Sequence, residues 1–273
     1  MADGRNFPYD NVFNTDNPNN VDIFVNRDPR LYETMVVNRN NLVEQYQGLS
    51  STELWQGGNV DQTFNPAVTD NPWSTRMKLF KYLRDNGYAA YHPTNFAYLR
   101  MADIHLCYAE ALAQTGNLPK ACDEMNKVRA RVGLGKIEVM NPGLNLTSNK
   151  DNFIEQLLKE RACEFGYEDS RWYDLIRYKR SDIFKKQVHQ LRVWRKDANG
   201  NKMNPADYND DTSLEPGEPW PNCIYEKIPC TNNTRVWWDT ENQTSKWTDK
   251  WYLAPISRDE INKGYGLNQN PGW

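Results

Sequence analysis

The sequence contains no run of about eighteen apolar residues, so no segment reads as a membrane-spanning helix. Met1 to Asp10 lacks a charged and then apolar stretch, so it does not read as a signal peptide, and no lipid-bearing cysteine follows. Positive charge is not concentrated either. Thirty-three Lys and Arg stand against thirty-six Asp and Glu, a net charge of -3 with both signs spread along the chain. No basic face suited to phosphates stands out, which argues against a nucleic-acid partner. Histidine is scarce: His92, His105 and His189 are far apart, and no Ser–His–Asp or Cys–His set has local motif support. The five cysteines show no metal-ligand spacing. Cys107, Cys122 and Cys163 fall in helical patterns and read as small hydrophobes. Cys223 and Cys230 could pair across a loop, although the odd count argues against a disulfide framework. No cofactor is implied.

What is abundant is aromatic. The hydrophobic fraction is only 38%, but ten Trp and fifteen Tyr can fill a core that the aliphatics alone would not. A length of 273 residues suits one or two domains. Residues 1–93 are rich in Asn, Asp, Pro and Gly and read as long loops with one strand. Arg30 to Val37 alternates, with Leu31, Glu33, Met35 and Val37 on one face, and Asp28-Pro29 makes the turn before it.

The period turns helical over residues 94–180. From Thr94, one apolar stripe runs through Ala97, Met101, Ile104, Tyr108, Ala111 and Leu112. A second runs through Leu99, Ala102, Leu106, Ala109 and Ala113. A helix apolar over so much of its circumference is expected to pack on several sides. Gly116 ends it, Asn117 can cap the next helix, and Pro119 fits that helix's first turn. Ala121, Cys122, Met125, Val128 and Val132 then face the first helix, and Gly133 stops the second. This helical hairpin has the spacing of a tetratricopeptide unit, with His105 where that pattern usually has Trp. Ser148 and Asp151 sit near capping-box spacing before a third helix with Ile154, Leu157, Leu158, Arg161 and Phe165 on its stripe. A short fourth helix starts near Ser170, with Trp172, Leu175 and Ile176 inward. Residues 181–273 return to loops and short strands, with a hairpin expected from Val188 to Arg195 and the Asn199-Gly200 turn.

Three segments together resemble the SusD/RagB family. The first is Asp28-Pro29-Arg30-Leu31-Tyr32. The second runs from Tyr98-Leu99-Arg100-Met101-Ala102-Asp103-Ile104 through Tyr108-Ala109-Glu110-Ala111 to Asn126-Lys127-Val128-Arg129-Ala130-Arg131-Val132-Gly133-Leu134. The third is Glu160-Arg161-Ala162-Cys163-Glu164-Phe165, then Glu168 and Arg171-Trp172-Tyr173-Asp174-Leu175-Ile176-Arg177. The close is similar too: Pro255-Ile256, Glu260-Ile261 and Asn268-Gln269-Asn270-Pro271-Gly272-Trp273. The resemblance implies a mainly α fold of tetratricopeptide-like hairpins that support a loop-rich region and short β-strands. It implies a single SusD/RagB-like C-terminal region over 1–273. It also implies a non-catalytic glycan-binding protein on the outer face of the outer membrane of Bacteroidetes-type bacteria. The partners it implies are a glycan and a SusC-like TonB-dependent transporter, with attachment through an N-terminal lipid. Against that pattern the chain is expected to lack the lipidated start and the first hairpins.

Two readings of the residues bear on function. Glu160, Arg161, Glu164, Glu168, Arg171 and Asp174 could be read as acid–base machinery for a glycosidic bond. Their helical spacing instead suggests an ion-pair network, because an arginine on an apolar stripe needs a partner. Asp207, Asn209, Asp210 and Asp211 lack the spacing of an EF-hand and read as a solvated loop. Sugars present flat C–H faces that stack on rings and hydroxyls that need amides and carboxylates. Tyr46, Trp55 and Trp73, in loops crowded with Asn, Gln and Asp, are therefore the expected ligand-binding residues. Trp237, Trp238, Trp247 and Trp251 read as core. The alternative function is a tetratricopeptide-type protein-interaction module, with the loop aromatics buried.

Overall fold

The structure is a computed structural model and describes residues 1–8, 23–37, 55, 78–79, 97–187, 189–197, 199–207, 223–229, 238–239, 242 and 244–273. It is mainly helical, with short strands. Its residues divide into two compact units, 1–167 with 191–227 and 168–190 with 228–273.

In the first unit, α1 (Pro29–Thr34) runs into β1 (Met35–Val36), which pairs antiparallel with β2 (Lys78–Leu79). Arg30 to Thr34 are thus helical where alternation suggests a strand. The Asp28 side chain accepts from the Arg30 backbone N–H and Pro29 occupies the first turn, which together start a helix. Extended structure begins only at Met35.

The helical layer follows. α2 (Met101–Gln114) begins at Met101, seven residues later than Thr94. Arg100 precedes it, and the Asp103 carboxylate accepts from the Arg100 backbone N–H at 3.1 Å. Gly116, at φ +87°, takes the left-handed turn that reverses the chain. The Asn117 side chain then caps α3 (Leu118–Arg131), with Pro119 in its first turn. Ala109 and Ala121 are fully buried, so the two helices approach closely. After Gly135 come the short helix α4 (Ile137–Met140) and a 3-10 turn at Pro142–Leu144. The cap of α5 (Lys150–Glu164) is Asn149, whose side chain accepts from the Asn152 N–H, in place of Ser148. α5 buries Phe153, Ile154, Leu157 and Leu158 and packs on α2, α3 and α1. Leu106, Met125 and Val128 complete the buried interior.

β3 (His189–Arg195) pairs with β4 (Cys223–Pro229). The expected turn is also present: Gly200 has φ +87° and Lys196 bridges Lys202. Ile23, Phe24, Val37, Trp55, Val193 and Tyr225 share one apolar cluster.

The second unit holds α6 (Arg171–Arg177), α7 (Ser181–Phe184), the β5–β6 pair (Trp238–Asp239 and Thr244–Ser245) and α8 (Arg258–Asn262). Leu175, Phe184 and Trp247 form its buried centre, with Ile176, Trp251 and Tyr252 around them. Trp172 stays partly exposed while touching Phe184 and Trp247. Among the described residues, no helix is long and apolar enough to cross a membrane.

Candidate functional site

Among the described residues of the first unit, the densest polar arrangement starts from the cap of α1. Asp28 holds Arg30 three ways: its carboxylate accepts from the Arg30 backbone N–H at 3.0 Å, from Nε at 3.0 Å and from Nη2 at 2.6 Å. The guanidinium is thereby aimed at α5. There Nη1 donates to Glu160 at 2.6 Å and to Glu164 at 3.0 Å. These carboxylates lie four residues apart, on one ridge of the helix. Arg129, from α3, donates to the other Glu160 oxygen at 2.8 Å. Its remaining donors reach the carbonyls of Gly135 and Gly4, at 3.0 and 2.8 Å. Gly4 has φ +96°, and a Cβ there would stand 2.6 Å from the Arg129 guanidinium, so the chain passes only without a side chain. Glu164 also accepts from Arg131 through both oxygens at 2.9 Å and from Arg100. Arg100 further reaches the Glu164 carbonyl at 2.7 Å and lies over the Phe165 ring.

Both oxygens of Glu160 and both of Glu164 are engaged by guanidinium groups. Burial alone would raise the Glu164 carboxyl. The hydrogen bonds from Arg100 and Arg30, and the charges of Arg100 and Arg131, outweigh that and hold it below its ordinary value. Asp28 follows the same logic, with burial opposed by the Arg30 bonds and charge. A general acid for glycoside cleavage needs the opposite, a carboxyl raised toward neutrality. What this geometry can do is lock α1, α3, α5 and the segment around Gly4 together. Removing one side would strand buried charge, at a cost of about 3–5 kcal/mol. Arg161 is buried as its place on the stripe requires, over the Phe165 ring and with Nη1 3.9 Å from Cys107 Sγ.

The expected ligand rings have different fates. Tyr46 and Trp73 lie outside the described residues. Trp55 is 0% exposed, within the cluster of Val37, Val193 and Tyr225. A ring with neither face open packs, and in this structure Trp55 offers no surface to a sugar. Its Nε1 is buried without a hydrogen-bond partner, and Arg195 sits 5.9 Å from the ring centroid. Burial in that apolar cluster outweighs the one orphaned donor, which costs about 1–3 kcal/mol. Trp247 is core as expected, stacked on Phe184 at 3.9 Å and 12°. Trp251 is half-buried beside it at 6.4 Å. Trp237 and the Trp238 side chain lie outside the described residues.

Other candidates are plain. His105 Nδ1 is 2.9 Å from Glu124, which Lys127 also contacts at 2.7 Å, so it is part of the α2–α3 contact. His189 Nδ1 lies 3.1 Å from the Gln187 carbonyl, and His92 is outside the described residues. Cys122 is buried, and its thiol is pushed up to about 12 chiefly by that burial. Cys107 and Cys163 are exposed by surface area, a correction to their reading as packed hydrophobes, although enough protein lies near the Cys163 thiol for desolvation to raise it above its ordinary value. Cys223 is buried in β4, and Cys230 lies outside the described residues. Asp207 is exposed, and residues 209–211 are not described. Among the described residues no group of His, Cys, Asp and Glu could hold a metal.

The model of the SusD family matches residues 1–273. This chain belongs to the SusD family. It is 31% identical over 102 residues to SusD-like protein P38 of Formosa agariphila, covering 37% of the chain and 20% of that protein. It is 32% identical over 114 residues to a SusD-like protein of Bacteroides ovatus, covering 39% of the chain and 18% of that protein. In the solved structures, a SusD-like protein from Bacteroides fragilis superposes with a TM-score of 0.60 at 23% identity, over 92% of this chain and 39% of that one. That likeness shows the fold. The chain thus matches well under half of each relative's length.

In this SusD-family chain, the three segments that carry the resemblance meet at the charged junction. Asp28 and Arg30 come from the first, Arg100, Arg129 and Arg131 from the second, Glu160 and Glu164 from the third. Reasoning from helix spacing finds the two glutamates. It misses the four arginines that answer them, because those pairs span 31 to 134 residues. The available signal was the arginine in each motif, taken together with the carboxylates of the third.

Proposed function

We propose that this SusD-family chain captures glycan without chemistry of its own. It would act at the outer face of the bacterial outer membrane and hand ligand to a SusC-like TonB-dependent transporter. The protein it serves in would be held there by an N-terminal lipid. The observation that carries this reading is the family match across residues 1–273. The junction supports the non-catalytic part, since both oxygens of Glu160 and Glu164 are engaged by guanidinium groups and Glu164 is held ionised.

Neutral sugars offer few charges, so stacking and hydrogen bonds must supply the energy. Tyr46 and Trp73 are the rings proposed for that role. Calorimetric titration of the purified chain with oligosaccharides, alongside Trp73→Ala and Tyr46→Ala, tests it. Loss of a stacking ring should cost about 2 kcal/mol, roughly thirtyfold in Kd, with the melting temperature nearly unchanged. Variants that melt much lower yet bind as well would show these rings to be packing residues. Trp55→Ala, by contrast, should lower the melting temperature.

A further inference from the structure

The pair β3–β4 turns one face to the apolar cluster and the other to water. Val193, Cys223 and Tyr225 are buried in the cluster, and Leu191 packs against it. Side chains alternate along a strand, so Arg192 and Trp194 lie on the other face, followed by Lys196 just beyond β3 and joined by Glu226 of β4. All four are half-buried. The Trp194 ring is fixed, because its Nε1 donates to Glu226 at 2.7 Å. The Arg192 guanidinium and the Lys202 ammonium lie 5.9 and 5.5 Å from its centroid.

The carboxylates on this face are committed. Glu226 accepts from Trp194 through one oxygen and from Lys202 through the other. Burial would raise its carboxyl, but those two bonds and the charges of Lys202 and Arg192 hold it below its ordinary value. Asp197 is spent on the turn. Its carboxylate accepts from the backbone N–H groups of Asn199 at 2.9 Å and Asn201 at 2.6 Å, and from the Asn201 amide at 3.4 Å. Among the described residues, neither Arg192 nor Lys196 has a carboxylate within ion-pair distance. Two cations without acid partners therefore stand four residues apart, about 13 Å along the chain, with a fixed ring between them. That spacing suits a chain that repeats its charge, and the ring suits the flat face of a sugar. We infer that this face binds a glycan bearing sulfate or carboxylate groups, with Trp194 against a sugar ring and Arg192 and Lys196 on the anionic substituents. The inference rests on the reading of this chain as glycan-capturing, and adds recognition of charge to the stacking proposed for Tyr46 and Trp73.

Calorimetric titration of the full chain tests it with two pairs of probes. One is a sulfated galactan oligosaccharide and its desulfated counterpart, the other an oligogalacturonate and its methyl ester. At low salt at least one charged sugar should bind about tenfold tighter than its uncharged counterpart, and most of that advantage should vanish near about 0.5 M salt. Which pair shows the advantage tells sulfate from carboxylate. A double variant, Arg192→Gln with Lys196→Gln, should lose the advantage while its melting temperature and its affinity for uncharged sugar stay as in the parent. Trp194→Ala should weaken the charged sugar more than Trp194→Tyr, which keeps a ring. Equal affinity within both pairs overturns the inference and leaves glycan capture standing, whereas binding of none of the four sugars contradicts both. An advantage that survives in the double variant overturns the inference, because the anion then sits elsewhere. So does equally strong binding to phosphatidylglycerol vesicles that the same substitutions abolish, since the face would then serve a lipid surface.

Discussion

In the first unit, Arg30, Arg129, Glu160 and Glu164 lie buried against one another, while in the second the centre is Phe184 stacked on Trp247 with Leu175 beside them. Both arrangements hold together short elements that could not be stable alone. The charged one is directional. The guanidinium donors meet particular carboxylate oxygens at hydrogen-bond distance, so the junction fixes where α1 and α3 sit along α5. The aromatic one is broad and tolerant, and its worth scales with buried area. Ion pairs in a core are a weak source of net stability but costly to half-remove. The difference should therefore appear as sensitivity to which atom is changed in the first unit, and to how much volume is lost in the second.

The largest effect should come from Glu164→Ala. It leaves Arg30, Arg100 and Arg131 without this acceptor, and urea unfolding should show a loss of about 3–5 kcal/mol. An Arg30→Met change should cost less than Arg30→Ala, because the methionine fills the space of the stem. Trp247→Ala should lose about 3 kcal/mol or more through the cavity, and Trp247→Phe much less. If Trp247→Phe were as damaging as the alanine, area would not be what holds the second unit.

Acid sharpens the contrast. The folded-state pKa values of Asp28 and Glu164 are lowered. Their stabilisation is complete above about pH 4.5, where the unfolded carboxyls are ionised, and is lost as pH falls through the folded values. In Arg30→Met those folded values rise toward the unfolded ones, so an acid titration of ellipticity should break at higher pH than in the parent. The smallest effect belongs to an exposed pair. Lys263→Ala removes a contact of 2.6 Å to Glu260, three residues away, and melting should shift by less than about 0.5 kcal/mol equivalent.

How far the sequence disclosed this follows from the range of each interaction. Gly116, Asn117 and Pro119 announce the hairpin because caps and turns are local. The α5 stripe is legible because Ile154, Leu157 and Leu158 sit one turn apart. The segment from Arg30 to Thr34 misleads because alternation over five residues also suits a short helix, and the deciding contact is the Asp28 side chain on a backbone N–H. Trp55 misleads for a different reason. Polar neighbours in sequence do not report the buried cluster that Trp55 shares with Val37, Val193 and Tyr225. The covered and uncovered faces of α2 read alike in sequence, because both are apolar. Tyr46 and Trp73 stand on sequence chemistry alone.

We propose that the glutamates of α5 hold the fold and do not act on glycan. The most direct measurement pairs a melting curve with product analysis, for the parent chain and for Glu164→Gln, on a panel of oligosaccharides. Glu164→Gln should melt at a clearly lower temperature, and neither protein should release product. An unchanged melting curve, with turnover in the parent that vanishes in the variant, would contradict that proposal.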